Sequence, residues 1–249
     1  MLTRDPMPTS RPASPPARQP ASHPARRDLL ITALALLALL AWDLSGWDLA
    51  LIRLYGDAQG FALRNAWITR NLLHDGGRWL SAAMLALLVW DVWRPILPGR
   101  TLKHRLFGLG VVLLNLLVVP LIKRFTSTSC PWDLAEFGGI AAYVPHWQLG
   151  VSGGGGGHCF PSGHAVAAFA FFGAYFSWRQ HHPRLARATL VGVLVVGSLF
   201  AWAQMARGAH FASHSLWTAW LCWTVAMAAY LVQPSARTTP ALQRAAGPA

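Results

Sequence analysis

Three groups of residues in this chain have the types and spacing to do chemistry on an anion. Pro161-Ser162-Gly163-His164 opens an apolar run, so it reads as a helix start whose free backbone N–H groups and positive dipole end attract a negative ligand. Ser162 brings a hydroxyl and Gly163 an unobstructed N–H to that place, with His164 directly behind them. His210 and His214 are four residues apart and share a face if they lie on a helix. A neutral imidazole is a nucleophile toward phosphorus and a tunable acid near neutral pH, so paired histidines suit two-step phosphoryl transfer. Lys123 closes a different apolar run and supplies a cation. Each feature also has a plainer reading: a capped helix, an interfacial histidine pair, a lysine snorkelling to the membrane surface.

A metal site is the rival use of the same residues. His158, His164, His210 and His214 offer enough imidazoles for zinc, and H-x3-H on a helix is a ligand spacing. The nearby carboxylates are Asp133 and Glu136 alone, and P-S-G-H has no part in such a motif, so neither a metal nor an organic cofactor is expected.

The elements that must position these residues are apolar. Of 249 residues, 54% are hydrophobic and only 12% charged, which excludes a disordered regulator and weighs against a soluble enzyme. The net charge of +12 is not gathered into a basic stripe with interleaved aromatics, so no nucleic-acid partner is expected. The partner implied is the bilayer. Apolar runs beginning at 29 and over 79–97, 106–122, 163–178, 188–206 and 216–232 are each long enough, or nearly so, to cross about 30 Å of hydrocarbon. The sequence therefore predicts an all-α polytopic membrane protein, a bundle of six transmembrane helices over 28–234. The Pro-rich basic segment 1–27 is expected to be a disordered cytoplasmic tail and 235–249 a second one. No A-x-A-like site follows the first run, which is read as an uncleaved span.

Charge sets the orientation. With the N-terminus inside, Arg53, Arg64, Arg70, Arg78, Lys123, Arg124 and Arg207 are external and the other 14 of the 21 Lys and Arg are cytoplasmic. The positive-inside rule then places both termini in the cytoplasm, and it puts Lys123, P-S-G-H and the two histidines on one external face. The external segment 56–78 mixes apolar and charged residues at helical spacing and is expected to lie as an amphipathic helix on the membrane surface. Asp43 and Asp48, near the outer end of the first span, are expected to be interfacial or paired.

The order of lysine, P-S-G-H and G-A-H-F-A-S across six spans resembles the type-2 phosphatidic acid phosphatase superfamily, whose motifs read K-x6-R-P, P-S-G-H and S-R-x5-H-x3-D. Lys123 matches the first lysine and Pro131 the closing proline, but Cys130 stands where the arginine belongs. Ser162, Gly163 and His164 match fully. His210 falls on the nucleophile, while Ala203 and Gln204 replace Ser-Arg and His214 replaces the aspartate.

The resemblance implies hydrolysis of a lipid phosphate or lipid diphosphate, with phosphatidic acid, undecaprenyl diphosphate, phosphatidylglycerol phosphate and lipid A phosphates as the family's substrates. It implies that His210 attacks phosphorus, His164 protonates the leaving group, and Lys123, Ser162 and Gly163 hold the phosphoryl oxygens without a cofactor. Arg207, one turn from Gln204, is the expected substitute for a missing arginine, ahead of Arg124 and His158. His214 is expected to orient His210. The location implied is a bacterial inner membrane with the site facing the periplasm. Cys130 and Cys159 share one external loop and are expected to pair in that oxidising space, joining the first motif to the second. The altered motifs keep two alternatives open, phosphoryl transfer to another lipid and a catalytically weak lipid-phosphate binding or transport protein.

Overall fold

A computed structural model describes residues 23–233. Most of the expected N-terminal tail and all of the expected C-terminal one lie outside the described residues, and helix is already formed from His23 onward. The elements are α1 (His23–Ser45), α2 (Trp47–Ile52), a hairpin of β1 (Gly56–Asp57) and β2 (Gly60–Phe61), and a π-helix (Ile68–Asp75) that runs directly into α3 (Gly76–Trp93). Then follow α4 (Leu102–Lys123), 3-10 turns at Pro131–Asp133 and Ala135–Phe137, α5 (Val166–Phe169), α6 (Phe172–Trp178), α7 (Pro183–Ala206) and α8 (Ala212–Val232).

The chain is mostly helical, and α1, α4, α7 and α8 are long and apolar enough to cross a membrane. Their outward faces expose large apolar side chains such as Leu37, Leu117 and Val195, an arrangement that suits lipid rather than water. At the other two expected spans stand α3, whose 18 residues include Arg78 and Asp91, and the pair α5–α6. The run over 163–178 is thus not one straight helix. It breaks at Ala170 and Phe171, and the Ala170 carbonyl accepts from the buried Asn115 Nδ2 of α4 at 3.3 Å, which also donates to Cys222 O of α8 at 3.3 Å. Every residue of α6 from Phe172 to Ser177 is buried, so this short helix is the centre of the core and α4, α7 and α8 surround it.

At one end of the bundle α1 and α2 are tied to α8 by two buried carboxylates, Asp43 of α1 and Asp48 of α2. Asp48 accepts from the Ser213 backbone N at 3.0 Å and from the Ser213 hydroxyl, and so satisfies the first turn of α8. Asp43 accepts from Trp217 Nε1 at 2.9 Å and lies 3.3 Å from His146 Nε2. Both acids are therefore paired.

The external segment departs from expectation. Instead of a surface helix, 56–78 forms the hairpin and the π-helix and packs down onto the bundle. Thr69 is fully buried, its hydroxyl bonded to Leu63 O at 2.5 Å, and Phe61 packs on Phe137 with ring centroids 5.0 Å apart. Gly77 lets the start of α3 lie against α7, because a Cβ there would fall 2.5 Å from the Phe200 ring. The close approach brings the residues on either side of Gly77 toward the functional histidines.

Candidate active site

His210 sits between α7 and α8 because α7 stops at Ala206 and Gly208 turns the chain with φ 72°. The backbone N–H groups of Ala209 and His210 both donate to Gln204 O, at 2.8 and 3.3 Å, which pins the loop back onto the end of α7. Its Nδ1 lies 3.4 Å from Nδ1 of His214. One nitrogen of that pair must donate and the other accept. With the proton on His210 Nδ1, Nε2 keeps a free lone pair on a ring that lines the cavity. Burial, with the nearby Lys123 ammonium second, holds the His210 imidazole well below its ordinary value and so keeps it neutral.

That cavity measures about 360 Å³, and its chemistry comes from His74, Arg78, Lys123, His164, Gln204 and His210. Lys123 ends α4, with its Nζ 3.9 Å from where a Cβ on Gly163 would be, so ammonium and the bare Gly163 backbone face the same space. His164 precedes α5 and donates from Nε2 to the Leu73 carbonyl of the π-helix at 3.2 Å. That bond leaves Nδ1 as its proton-exchanging nitrogen. The ring is stacked on His74 at 4.5 Å and packed against Phe200 at 4.9 Å. Burial, followed by the charge of His74, lowers the His164 pKa to about 4. His74 in turn bonds Asp75 through Nδ1 at 2.9 Å.

Not every expected residue lines the cavity. Ser162 and His214 are buried behind it, where Ser162 N donates to His214 O at 3.1 Å and Thr218 Oγ1 bonds both of their carbonyls. They lock the P-S-G-H turn to α8, and the Ser162 hydroxyl accepts from Ala165 N at 3.4 Å as a cap would. Arg207 does not line the cavity as expected. Its backbone N–H donates to Ala203 O at 3.1 Å and so continues the last turn of α7, but its Nε is drawn to Arg64 O at 2.9 Å instead of the cavity. His158 is exposed and turned toward the Lys123 carbonyl at 3.3 Å.

The sequence does not point to two of the lining groups, Arg78 and His74. Arg78 enters from α3, and Gln204, at the place of the motif arginine, is buried with its Nε2 lacking any hydrogen-bond partner among the described residues. An orphaned buried amide N–H facing a cationic cavity is a donor awaiting an anionic oxygen. A π-helix beside the site was the one signal available for Arg78 and His74, since such segments gather at functional sites, but its register is not readable from composition.

Cys130 and Cys159 are joined by a disulfide, with Cys130 on the cavity wall and Cys159 Sγ 3.6 Å from His210 Nδ1. The bridge spans 29 positions, so loop closure alone is worth about 3–4 kcal/mol to the folded state. A Cys130→Ser/Cys159→Ser variant in detergent is expected to melt well below the wild type, and thiol reductant is expected to lower the wild-type melting temperature but not that of the variant.

The same disulfide weakens the zinc reading. Cys159, His210 and His214 offer ligand atoms within 4.8 Å of one another, but a disulfide sulfur has no thiolate to give, and two imidazoles fall short of a zinc site.

A family model described as PAP2 superfamily matches residues 105–237, a span that contains Lys123, the P-S-G-H turn, His210 and His214. No curated protein and no solved structure matches the chain.

Proposed function

The chain belongs to the PAP2 superfamily, and from that premise we propose that it is a membrane phosphatase acting on a lipid phosphate or lipid diphosphate. The observation that carries the proposal is the convergence of a neutral His210, His164 and Lys123 on one cavity within the span that matches the family. His210 Nε2 attacks phosphorus in line, the N–P bond forms as the P–O bond to the leaving group breaks, and His164 Nδ1 delivers a proton to the departing oxygen. His164 then takes a proton from the water that displaces His210, releasing phosphate. Lys123, Arg78, Gln204 Nε2 and the Gly163 N–H hold the phosphoryl oxygens. His214 fixes the tautomer of His210. We place the six apolar helical segments across a bacterial inner membrane, termini in the cytoplasm and cavity facing the periplasm, on the distribution of basic residues.

Phosphate release from phosphatidic acid, phosphatidylglycerol phosphate and undecaprenyl diphosphate in detergent tests this reading. Release from at least one, undiminished by exhaustive chelation, is expected. Tight binding of these lipids without release would favour the second reading, a lipid-phosphate binding protein, which the absence of arginine at Cys130 and Gln204 motivates. Phosphate transfer to an added lipid alcohol would identify a phosphotransferase using the same phosphohistidine.

The depressed pKa of His164 has a pH signature. Only the protonated ring can act as the acid, and with a free-protein pKa of about 4 its protonated fraction declines as pH rises through neutrality. Corrected for substrate ionisation, kcat/KM is expected to be higher on the acid side of neutrality and to fall toward pH 8. His164→Asn is expected to lose both most of the rate and that slope. A wild-type profile that instead rises with pH would assign the proton to another group.

A further inference from the structure

At the end of the bundle opposite His210, buried N–H groups outnumber the acceptors around them. Asp91 of α3 has both carboxylate oxygens engaged, one by Ile96 N at 2.9 Å and one by Arg100 Nη1 at 2.7 Å, and its carbonyl takes Arg105 Nη1 at 2.9 Å. Arg100 Nη2 shares the Ser177 hydroxyl with the His104 carbonyl, at 3.3 and 3.1 Å. The Arg100 guanidinium lies 5.7 Å from the Trp178 ring, and the His104 and His181 rings are 4.7 Å apart. These contacts tie Arg100, Arg105, Trp178 and His181 into one group.

Within that group Arg100 Nε, Arg105 Nε, Trp178 Nε1 and His181 Nδ1 are all buried without a partner among the described residues. Arg100 as a whole is only 6% exposed. Leaving several donors dry is costly, and a lone carboxylate against two guanidiniums leaves uncompensated positive charge. The neighbouring imidazoles bring no negative charge to offset the guanidiniums: His182 Nε2 is engaged by Pro98 O at 2.9 Å, and a neutral His181 offers one N–H and one lone pair. The missing partner is an anion with several oxygens.

The surroundings identify its source. Trp90 and Trp93 at the end of α3, with Ile96 and Leu102 beyond it, are exposed and form an apolar and aromatic rim beside the cluster, as at a membrane–water boundary. We propose that this cluster binds the phosphoryl headgroup of an anionic lipid in the leaflet away from the catalytic cavity. The site uses none of the residues assigned to phosphate chemistry and rests only on the chain lying in a bilayer. Basic pockets between membrane helices are suited to such headgroups.

Native mass spectrometry of detergent-purified protein mixed with phosphatidylglycerol or phosphatidylcholine tests it. The wild type is expected to retain phosphatidylglycerol preferentially, and Arg105→Gln/His181→Gln to lose that preference by about fivefold or more. Arg184→Gln/Arg187→Gln removes exposed charge from the same end without touching the cluster, and is expected to keep it. Melting temperature in inorganic phosphate distinguishes the sources. A rise in the wild type that disappears in the Arg105/His181 variant supports the cluster as a site for any phosphate anion, whereas no such difference together with retained phosphatidylglycerol supports the lipid. Equal loss in both double variants means general charge attraction and overturns the proposal, as does a wild type without lipid preference or phosphate response. Should Arg105→Gln/His181→Gln fail to give a monodisperse protein, His181→Gln alone carries the comparison.

Discussion

Replacing His210 by alanine is expected to lower phosphate release by on the order of 10⁴-fold or more, the scale reached when a nucleophile is removed from a site that acts as a unit. The geometry makes the loss specific. His210 is the cavity-lining imidazole whose other nitrogen is committed, through the 3.4 Å contact with His214, so its removal takes away the lone pair aimed at phosphorus and little else. The backbone around it is held without its side chain, by Trp132 N donating to Gly208 O in the loop after α7 and by Asp48 accepting from Ser213 N at the start of α8. The variant should therefore purify and melt close to the wild type while failing to turn over. Brief exposure to radiolabelled substrate followed by denaturation is expected to leave acid-labile label on the wild type and none on His210→Ala. Label retained by the variant would move the nucleophile elsewhere, with His214 first in line.

The residues legible in the sequence were those whose chemistry is local. P-S-G-H and H-x3-H carry their geometry within a few residues, and the long apolar runs produce α1, α4, α7 and α8 because hydrocarbon length is a one-dimensional property. The break between α5 and α6 was hidden because a broken buried helix and a continuous one have the same composition. It depends on Asn115, 55 residues away in sequence, meeting the Ala170 carbonyl. The packing of the segment 56–78 is hidden for the same reason. Its amphipathic pattern is satisfied equally by a membrane surface and by packing on the bundle, and the choice was made by the fit of Gly77 against Phe200. Arg207 keeps the helical spacing to Gln204, but its guanidinium is held by Arg64 O, a contact 143 positions away in sequence that no local pattern reveals.

That last difference yields a decisive prediction about where the site's second cation comes from. Arg78→Ala is expected to lower kcat/KM by about 10²–10³, the cost of deleting one stabiliser of a charged transition state from a preorganised site. Arg207→Ala, bonded to Arg64 O outside the cavity, is expected to change it by less than about fivefold. Gln204 occupies the motif arginine's place with an unpartnered Nε2 in the same cavity. If Arg78 has taken over that arginine's charge from the opposite wall, then Gln204→Arg should add little to the wild type, where two guanidiniums would compete for the same oxygens. In the Arg78→Ala background the same substitution should recover activity by about tenfold or more, since it returns a cation to the cavity. The two changes would then be strongly non-additive, and that coupling is the signature of a shared substrate oxygen. Additive losses, or a large loss in Arg207→Ala beside a small one in Arg78→Ala, would return the role to the loop after α7 and require Arg207 to swing in from its Arg64 contact when substrate binds.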